Sequence, residues 1–451
     1  MIDTPDSTPR PAGRTLIVGL GTTGLSCARF LSRQGIEVAV TDSRERPPAL
    51  EAIRAELPDV ALFLGGFDRS AFSRATRIVV SPGVSLRDPL LLEARRRGVE
   101  IIGDIELFAR HARAPVVAIT GSNGKSTVTT LVGAMARRAG REVRVGGNLG
   151  TPALELIQER EPDLYVLELS SFQLETVSSL RPRVATVLNL SPDHLDRHAS
   201  MDDYAGAKRR VYADAEVQVV NRDDADAAAL AEAGGSCIGF GLGPARAGDF
   251  GIAEHEGERW IMYGEEPWMA AAALRMAGTH NLANALAALA LGMAAGLPRD
   301  AMLLALREFR GLPHRSQWVA ERGGVDWYND SKATNIGATL AAVRGFDVPL
   351  VLIAGGQGKG ADFRPLVEGL RGRVRAVILI GEAAGQIESL LQGVVPCQRA
   401  TGMEDAVRKA AALAVPGDAV LLSPACASFD QFDGYEQRGE AFVRAVGELE
   451  S

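Results

Sequence analysis

The sequence predicts an α/β protein of three domains. These are a Rossmann-like domain over 1–112, a central P-loop-type domain with a mostly parallel sheet over 113–311, and a second Rossmann-like domain over 312–451. Three observations carry that prediction. Short β-branched runs alternate with longer helical patterns almost throughout, the way buried parallel strands and their crossover helices read in sequence. Two glycine-rich loops each stand between a strand pattern and a helix pattern. The length, 451 residues, exceeds one ordinary core and suits about three domains.

Taken in order, "TLIVGL", "EVAVTD" and "RIVVSPG" read as strands of the first domain. "PVVAIT", "LYVLELS" and "ATVLNLS" belong to the second, and "PLVLIAGG", "RAVILIG" and "DAVLLSPA" to the third. After Lys125, the residues Val128, Leu131, Val132 and Met135 recur at helical spacing, with Gly140 as a stop. The breaks fall near "ARHARAP" (109–115) and near "FRGLPHRSQ" (309–317), the latter after a long helical region. The most apolar helix, "LANALAALALGMAAGL" (282–297), carries Asn284 and falls short of the about 18–20 residues a membrane span needs. It is expected to be a buried helix.

Composition excludes several classes. With 46% hydrophobic and 23% charged residues, the chain has the make-up of a globular enzyme. A net charge of −7 gives no electrostatic case for nucleic acid or an anionic membrane as partner. Cys27, Cys237, Cys397 and Cys426 are scattered, forming neither a CxxC pair nor a framework; they are expected to be reduced thiols of a cytoplasmic protein. "MIDTPDSTPR" lacks the apolar stretch of a signal peptide.

The first loop, "VGLGTTGLS", holds Gly19-x-Gly21-x-x-Gly24, and Asp42 ends the next strand. A dinucleotide fold places its ribose-binding carboxylate there, about twenty residues on. Such a loop offers backbone N–H groups and a positive helix end to any diphosphate, so a nicotinamide dehydrogenase and a UDP-sugar binder both stay open. "SPGV" (81–84) is either a close-approach turn or a plain connection.

The second loop, "TGSNGKST", departs from the usual G-x-x-x-x-G-K-[ST], having Ile119 where glycine is expected. Its context is nevertheless that of a triphosphate loop. Gly121, Ser122, Asn123 and Gly124 permit close approach of phosphate oxygens, Lys125 neutralises them, and Ser126 or Thr127 offers a hydroxyl to Mg²⁺. A lysine at a helix start is unfavourable unless an anion sits beside it. Downstream, Asn148, Glu168, Asp193 and His194 stand at the ends of apolar strands. A buried Glu168 would be costly without a metal or cation, whereas a rim position would face solvent.

The ordered set "TGSNGKST", "LELSSFQLE", "NLSPDHLDRH", "YAGAKRRVY" and "GTHNLANALAALA" closely resembles the Mur ligases, the ATP-dependent amino-acid-adding enzymes of peptidoglycan synthesis. "LPHRSQ", "NDSKATN", "GGQGKGADF" and "SPACASFDQF" look like the branch that adds D-glutamate to UDP-N-acetylmuramoyl-L-alanine. The resemblance implies ATP and two Mg²⁺ ions, with the loop and Lys125 on the phosphates. Ser126 and Glu168 would hold the first Mg²⁺ and His194 the second. Lys208 matches a lysine often carbamylated in the family, which would make it a negative metal-binding group; unmodified, it would be one more exposed base beside Arg209 and Arg210. Asn281 and Asn284 would lie on the adenine side, Asn281 capping its helix in the plainer reading. His314, Arg315, Asp330 and Lys332 would contact ATP from the third domain. Thr334, Lys359, Ser428 and Phe429 would form the D-glutamate pocket, with Tyr435 as an aromatic near it. Gly21, Thr22, Thr23, Asp42, Ser43, Gly83 and Asn148 would hold the UDP substrate, with Arg44 beside the uracil or a phosphate. The chain is expected to be a monomer without membrane insertion. Rival readings are another ligase of this superfamily, a folylpolyglutamate synthase, a dehydrogenase and a non-catalytic nucleotide sensor.

Overall fold

Parallel strands covered on both faces need nearly continuous apolar runs, and Thr15–Val18, Val116–Thr120 and Leu350–Gly355 are such runs, buried at every position. The computed structural model describes residues 14–449 except 192, 194–196 and 277. These fall into two compact units, one within Met1–Phe240 with Leu289–Pro298, the other within Gly241–Ala288 with Arg299–Ser451.

The first unit holds two parallel arrays. Strands β1 (Thr15–Val18), β2 (Val38–Asp42), β3 (Ala61–Leu64), β4 (Arg77–Val80) and β5 (Glu100–Ile102) form a parallel sheet in the order β3-β2-β1-β4-β5. The connections leave β1 in opposite directions at its boundary with β4, so a crevice opens beyond the strand ends there. β6 (Val116–Thr120), β7 (Val143–Gly147), β8 (Leu164–Glu168), β9 (Val184–Val187), β10 (Val217–Asn221) and β11 (Ser236–Phe240) run parallel in the order β11-β10-β9-β6-β8-β7. The helix Lys125–Arg138 follows β6, and Val128, Leu131, Val132 and Met135 are fully buried on its inner face, as their spacing predicts. One apolar cluster runs through both sheets, from Ile17 and Val40 to Phe108 and Tyr165, whose rings meet edge to face at 5.0 Å.

The same unit carries polar ties across that core. Glu106, in the helix Asp104–Ala109, accepts from the Ser178 N–H at 2.7 Å, the Ser179 N–H at 2.9 Å and the Ser179 hydroxyl at 2.8 Å. Asp104 accepts from Gln173 Nε2 at 2.9 Å, and Arg29 pairs with Glu155 at 2.7 Å. Buried carboxylates need such partners.

The second unit contains an antiparallel ribbon of β12 (Phe250–His255), β13 (Glu258–Tyr263) and β14 (Glu266–Ala270). It also contains β15 (Gln317–Arg322), β16 (Val325–Asn329), β17 (Leu350–Gly355), β18 (Val374–Ile380), β19 (Cys397–Arg399) and β20 (Ala419–Leu422), in the order β15-β16-β20-β17-β18-β19. Only β15 is antiparallel to its neighbour among these strands. It turns into β16 through Gly323 and Gly324, at φ 60° and 76°, the two left-handed positions that a tight hairpin demands.

The ribbon was not foreseen. The helical region expected ahead of 309–317 begins only at Thr279, with the helices Thr279–Ala294 and Arg299–Glu308. β12–β14 have exposed positions scattered along them, so no apolar run announces them. The alanine-rich helix is buried along Ala285–Leu291, and no helix among the described residues is long and apolar enough to cross a membrane.

Candidate active site

The first glycine loop divides its labour by position. Gly19 turns the chain at φ 97°, and a Cβ on Gly24 would collide with the Gly19 carbonyl oxygen. Gly24 thus lets the helix Thr22–Arg33 pack close to the end of β1, and Gly19 lets the turn at Ser81 and Val84 approach it. A Cβ on Gly21 would meet nothing within 4 Å; this glycine faces a cavity of about 600 Å³. Gly21, Thr22, Thr23, Asp42, Ser43, Gly83 and Asn148, the residues expected on the UDP substrate, all line it, together with Arg44, Phe67, Ser81, Pro82, Val84, Gly147 and Gln173.

Asp42 is occupied within this wall. Its Oδ2 accepts from the Leu20 N–H at 2.7 Å and from Arg44 Nη2 at 2.7 Å, and its Oδ1 from Arg44 Nε at 2.8 Å and the Arg44 N–H at 2.9 Å. Burial pushes its carboxyl up, but these bonds outweigh that and hold it below the usual range. Both oxygens brace the loop, so Asp42 shapes the wall here and presents no open carboxylate to a ribose, whether of a dinucleotide or of a UDP substrate.

The second loop leaves β6 at its C-terminal end. Gly121 stands at φ 151° and Gly124 at φ 81°, conformations that suit glycine. Lys125 Nζ donates to the carbonyl oxygens of Gly121 at 2.9 Å and Ser122 at 3.0 Å. Lys208 Nζ reaches the same Gly121 oxygen at 2.8 Å. Two ammonium groups thus converge on one carbonyl, an arrangement that an anion in the loop would relieve.

Lys208 corrects the plainer expectation for it. It is 1% exposed, while Arg209 and Arg210 beside it face solvent. The helix Met201–Arg209 buries Tyr204, Ala207 and Lys208, positions three and four apart on one face. The ammonium lies 4.6 Å from the Tyr204 ring centre. Burial first, then the charge of Lys125, pulls the amine down to about 7, against the opposing pull of Asp193 and Glu168. A lysine so placed is in good part neutral near pH 7 and therefore nucleophilic.

Glu168 ends β8, in register with Ile119 of β6 just before the loop. It is 3% exposed, so the solvent-facing alternative is excluded. Oε1 accepts from Asn148 Nδ2 at 2.6 Å, and Oε2 has no hydrogen-bond partner among the described residues. A buried, half-satisfied carboxylate is costly and fits a hard cation. Among the described residues no three His, Cys, Asp or Glu side chains cluster as a metal site, and His194 lies outside those residues. Mg²⁺ needs no such cage, because it binds through one or two carboxylates with phosphate oxygens and water. The donor set of Glu168, a loop hydroxyl and a triphosphate fits it.

The second unit groups the residues expected in the third domain. Asp330 accepts from Ser423 Oγ at 2.8 Å and the Ser316 N–H at 3.1 Å; burial lifts its carboxyl to about 6 against these bonds. His314, at φ 61°, meets Asn329 Nδ2 through Nδ1 at 3.1 Å. Lys332 Nζ lies 5.2 Å from the Tyr435 ring centre and His314 5.9 Å from it, so Tyr435 gathers with the basic residues. Lys359, at φ 47°, sits 5.0 Å from the ring of Phe429, which is 62% exposed; Ser428 is buried and Thr334 exposed. Asn281 and Asn284 are buried and joined, Asn284 Nδ2 to Asn281 Oδ1 at 3.2 Å. Asn281 sits in the first turn of a helix that starts at Thr279.

Several residues of these sites had no role assigned from sequence: Gln173 and Tyr204 lie within "LELSSFQLE" and "YAGAKRRVY", and Arg438 lies outside every motif. Gln173 lines the cavity, and Tyr204 meets Ser122 Oγ at 3.0 Å. Arg438, 1% exposed, donates to the Ser331 hydroxyl and to the carbonyls of Ser331, Cys426 and Ala427, tying "NDSKATN" to "SPACAS". A signal for Arg438 existed: it falls on the buried stripe of Phe442, Ala445 and Val446 in the helix Tyr435–Gly447, where a charge needs a reason.

Comparison with known proteins bears on the whole chain. Residues 13–103 match the Mur ligase MurD-like N-terminal domain, 119–292 the Mur ligase middle domain, and 314–426 the Mur ligase glutamate ligase domain. The UDP-N-acetylmuramoylalanine–D-glutamate ligase of Nitrosococcus oceani is 54% identical over 443 residues, 98% of each chain. That of Pseudomonas aeruginosa is 53% identical over 438 residues, 96% of this chain and 98% of its own. Among solved structures, the UDP-N-acetylmuramate-alanine ligase of Thermotoga maritima superposes with a TM-score of 0.54 at 17% identity, over 96% of this chain and 99% of its own. MurF of Acinetobacter baumannii gives 0.53 at 20% identity, over 91% and 84%; these two speak for the fold alone. Matches spanning nearly every residue, with relatives more than half identical from end to end, make this chain a member of the Mur ligase family.

Proposed function

We propose that the chain is an ATP-dependent ligase that joins D-glutamate to UDP-N-acetylmuramoyl-L-alanine in peptidoglycan precursor synthesis. One observation supports this most directly. Asn148 lines the cavity beside the first glycine loop and also donates to Glu168, at the end of the strand beside the triphosphate loop. A substrate whose diphosphate rests on the first loop would therefore present its far end, the L-alanine carboxylate, to a phosphoryl-transfer centre.

A carboxylate is a poor electrophile, because its charge must be overcome and oxide is a bad leaving group. Transfer of the γ-phosphoryl group from ATP to the carboxylate oxygen gives an acyl phosphate and ADP. The D-glutamate amine attacks the acyl carbon, a tetrahedral intermediate forms, and phosphate leaves as the amide closes, the amine having lost its proton. Lys125 offsets the meeting of two anions, and the loop positions the triphosphate. Glu168 and Ser126 would hold one Mg²⁺, and His194 with the Lys208 carbamate would help hold a second; the ions would supply charge neutralisation on the phosphates.

In the same reading Gly121, Ser122, Asn123, Gly124 and Thr127 complete the triphosphate loop. Asn281, Asn284, His314, Arg315, Asp330 and Lys332 contact the nucleotide, and Thr334, Lys359, Ser428 and Phe429 take D-glutamate. Lys208 is carbamylated, its neutral amine adding to CO₂ with loss of a proton. We place a monomeric enzyme in the cytoplasm, with the domain division 1–112, 113–311 and 312–451.

The test is phosphate release with ATP, Mg²⁺ and UDP-N-acetylmuramoyl-L-alanine across a panel of amino acids, both glutamate enantiomers included. Release should require D-glutamate. Lys125→Ala should abolish turnover while leaving binding of the UDP substrate within about twofold of wild type. Loss of UDP-substrate binding with ATP binding intact would overturn the assignment of the two loops.

A further inference from the structure

The triphosphate loop keeps its shape through a second segment, Asn189–Ser191, whose residues have no part in the roles above. Asn189 grips the peptide backbone of Asn123 from both sides: its Oδ1 accepts from the Asn123 N–H at 2.8 Å, and its Nδ2 donates to the Asn123 carbonyl at 3.1 Å. The Ser122 N–H donates to the Asn189 carbonyl at 3.0 Å. Ser191 completes the contact: its N–H donates to Ser122 Oγ at 3.0 Å, its carbonyl accepts from that hydroxyl at 3.1 Å, and its Oγ accepts from Asn123 Nδ2 at 3.3 Å. The approach is close enough that a Cβ on Gly121 would stand 3.0 Å from Leu188 Cβ and 3.3 Å from the Asn189 nitrogen.

Loops with left-handed glycines have many alternatives in the free chain, and ordering them is a cost that binding must otherwise meet. Here the side chain of Asn189 fixes the middle of the loop before any phosphate arrives.

We propose that Asn189 is a positioning residue for ATP: it holds the Asn123 peptide so that the loop is preformed for the triphosphate. This rests on the reading of residues 121–127 as a triphosphate loop. Neither Asn189 nor Ser191 touches the nucleotide in this proposal. Their effect is confined to ligands that carry phosphates.

The experiment compares Asn189→Ala, Asn189→Asp and Ser191→Ala with wild type, using calorimetric or fluorescence titration with ATP, ADP, adenosine and UDP-N-acetylmuramoyl-L-alanine, and steady-state kinetics. Asn189→Ala should weaken ATP and ADP about tenfold, the size expected for two lost hydrogen bonds. Adenosine and the UDP substrate should stay within twofold. Asn189→Asp keeps the acceptor but loses the donor and adds a charge facing the triphosphate, so it should weaken ATP more than Asn189→Ala does. Ser191→Ala, a milder change, should weaken ATP about threefold. The KM for ATP should rise with the KM for the UDP substrate unchanged, a split that general destabilisation would not produce. Unchanged ATP affinity in Asn189→Ala, or an equal loss for adenosine and the UDP substrate, overturns the proposal and leaves the reading of the loop intact. Wild-type protein that binds no ATP overturns both.

Discussion

Glu106 offers the sharpest test of how the helix Asp104–Ala109 is held against the segment at Ser178 and Ser179. The perturbation is Glu106→Gln, which keeps shape and removes charge. The side chain is fully buried, accepts three hydrogen bonds from Ser178 and Ser179, and takes a fourth from Arg110 Nε at 2.9 Å. Burial alone would raise its carboxyl, yet these bonds bring it down from the usual 4.5 to about 2. Such a fall has an upper bound of about 3.4 kcal/mol. Arg110 is part-exposed and solvent screens its share, so we expect about 2 kcal/mol, in line with hydrogen bonds to a charged group.

The sign follows from the direction of the shift. A depressed carboxyl contributes stability that is fully present above its unfolded value near 4.5, and that contribution is lost as pH falls towards about 2. Thermal unfolding of wild type and Glu106→Gln should differ by about 4 °C at pH 7.5. The gap should narrow at pH 3.5, because the wild-type advantage then fades. A gap of the same size at both pH values, or none at pH 7.5, would refute this account of the junction.

Three further outcomes are expected. Gly24→Ala should misfold or lose several kcal/mol, since its Cβ strikes backbone; Gly21→Ala should fold normally and, with its methyl group in the cavity, weaken the UDP substrate at least tenfold, as calorimetry can show. Lys208, with its amine near 7, should give a carbamate carbon signal in ¹³C NMR with labelled bicarbonate at pH 8. That signal should fade below pH 6, where the ammonium dominates, and be absent in Lys208→Ala; a signal unchanged by the substitution would show another site.

Legibility differed by kind of residue. The strands "TLIVGL", "PVVAIT" and "PLVLIAGG" announced themselves because strands buried on both faces cannot tolerate polar interruptions, and β12–β14 did not because half-exposed strands can. The first glycine loop was visible as a motif, but its meaning turned on Asp42. Sequence spacing makes that residue a ribose ligand as readily as a brace. Only the contacts with Leu20 and Arg44 show that both oxygens are spent inside the wall.

The chain order by itself determined three α/β segments, two phosphate-type loops and the charged positions at strand ends, because periodicity and turn chemistry are local properties. It left Glu168 with a metal-bound and a solvent-facing reading, and Lys208 with a carbamylated and an exposed one. The tertiary structure encloses both, leaving one carboxylate oxygen without a hydrogen-bond partner among the described residues and drawing one amine towards neutrality. It alone brought Asn189 to Asn123 and Glu106 to Ser178, residues 66 and 72 positions apart. Contacts at such separations depend on how sheets and loops pack, and no window along the chain records them.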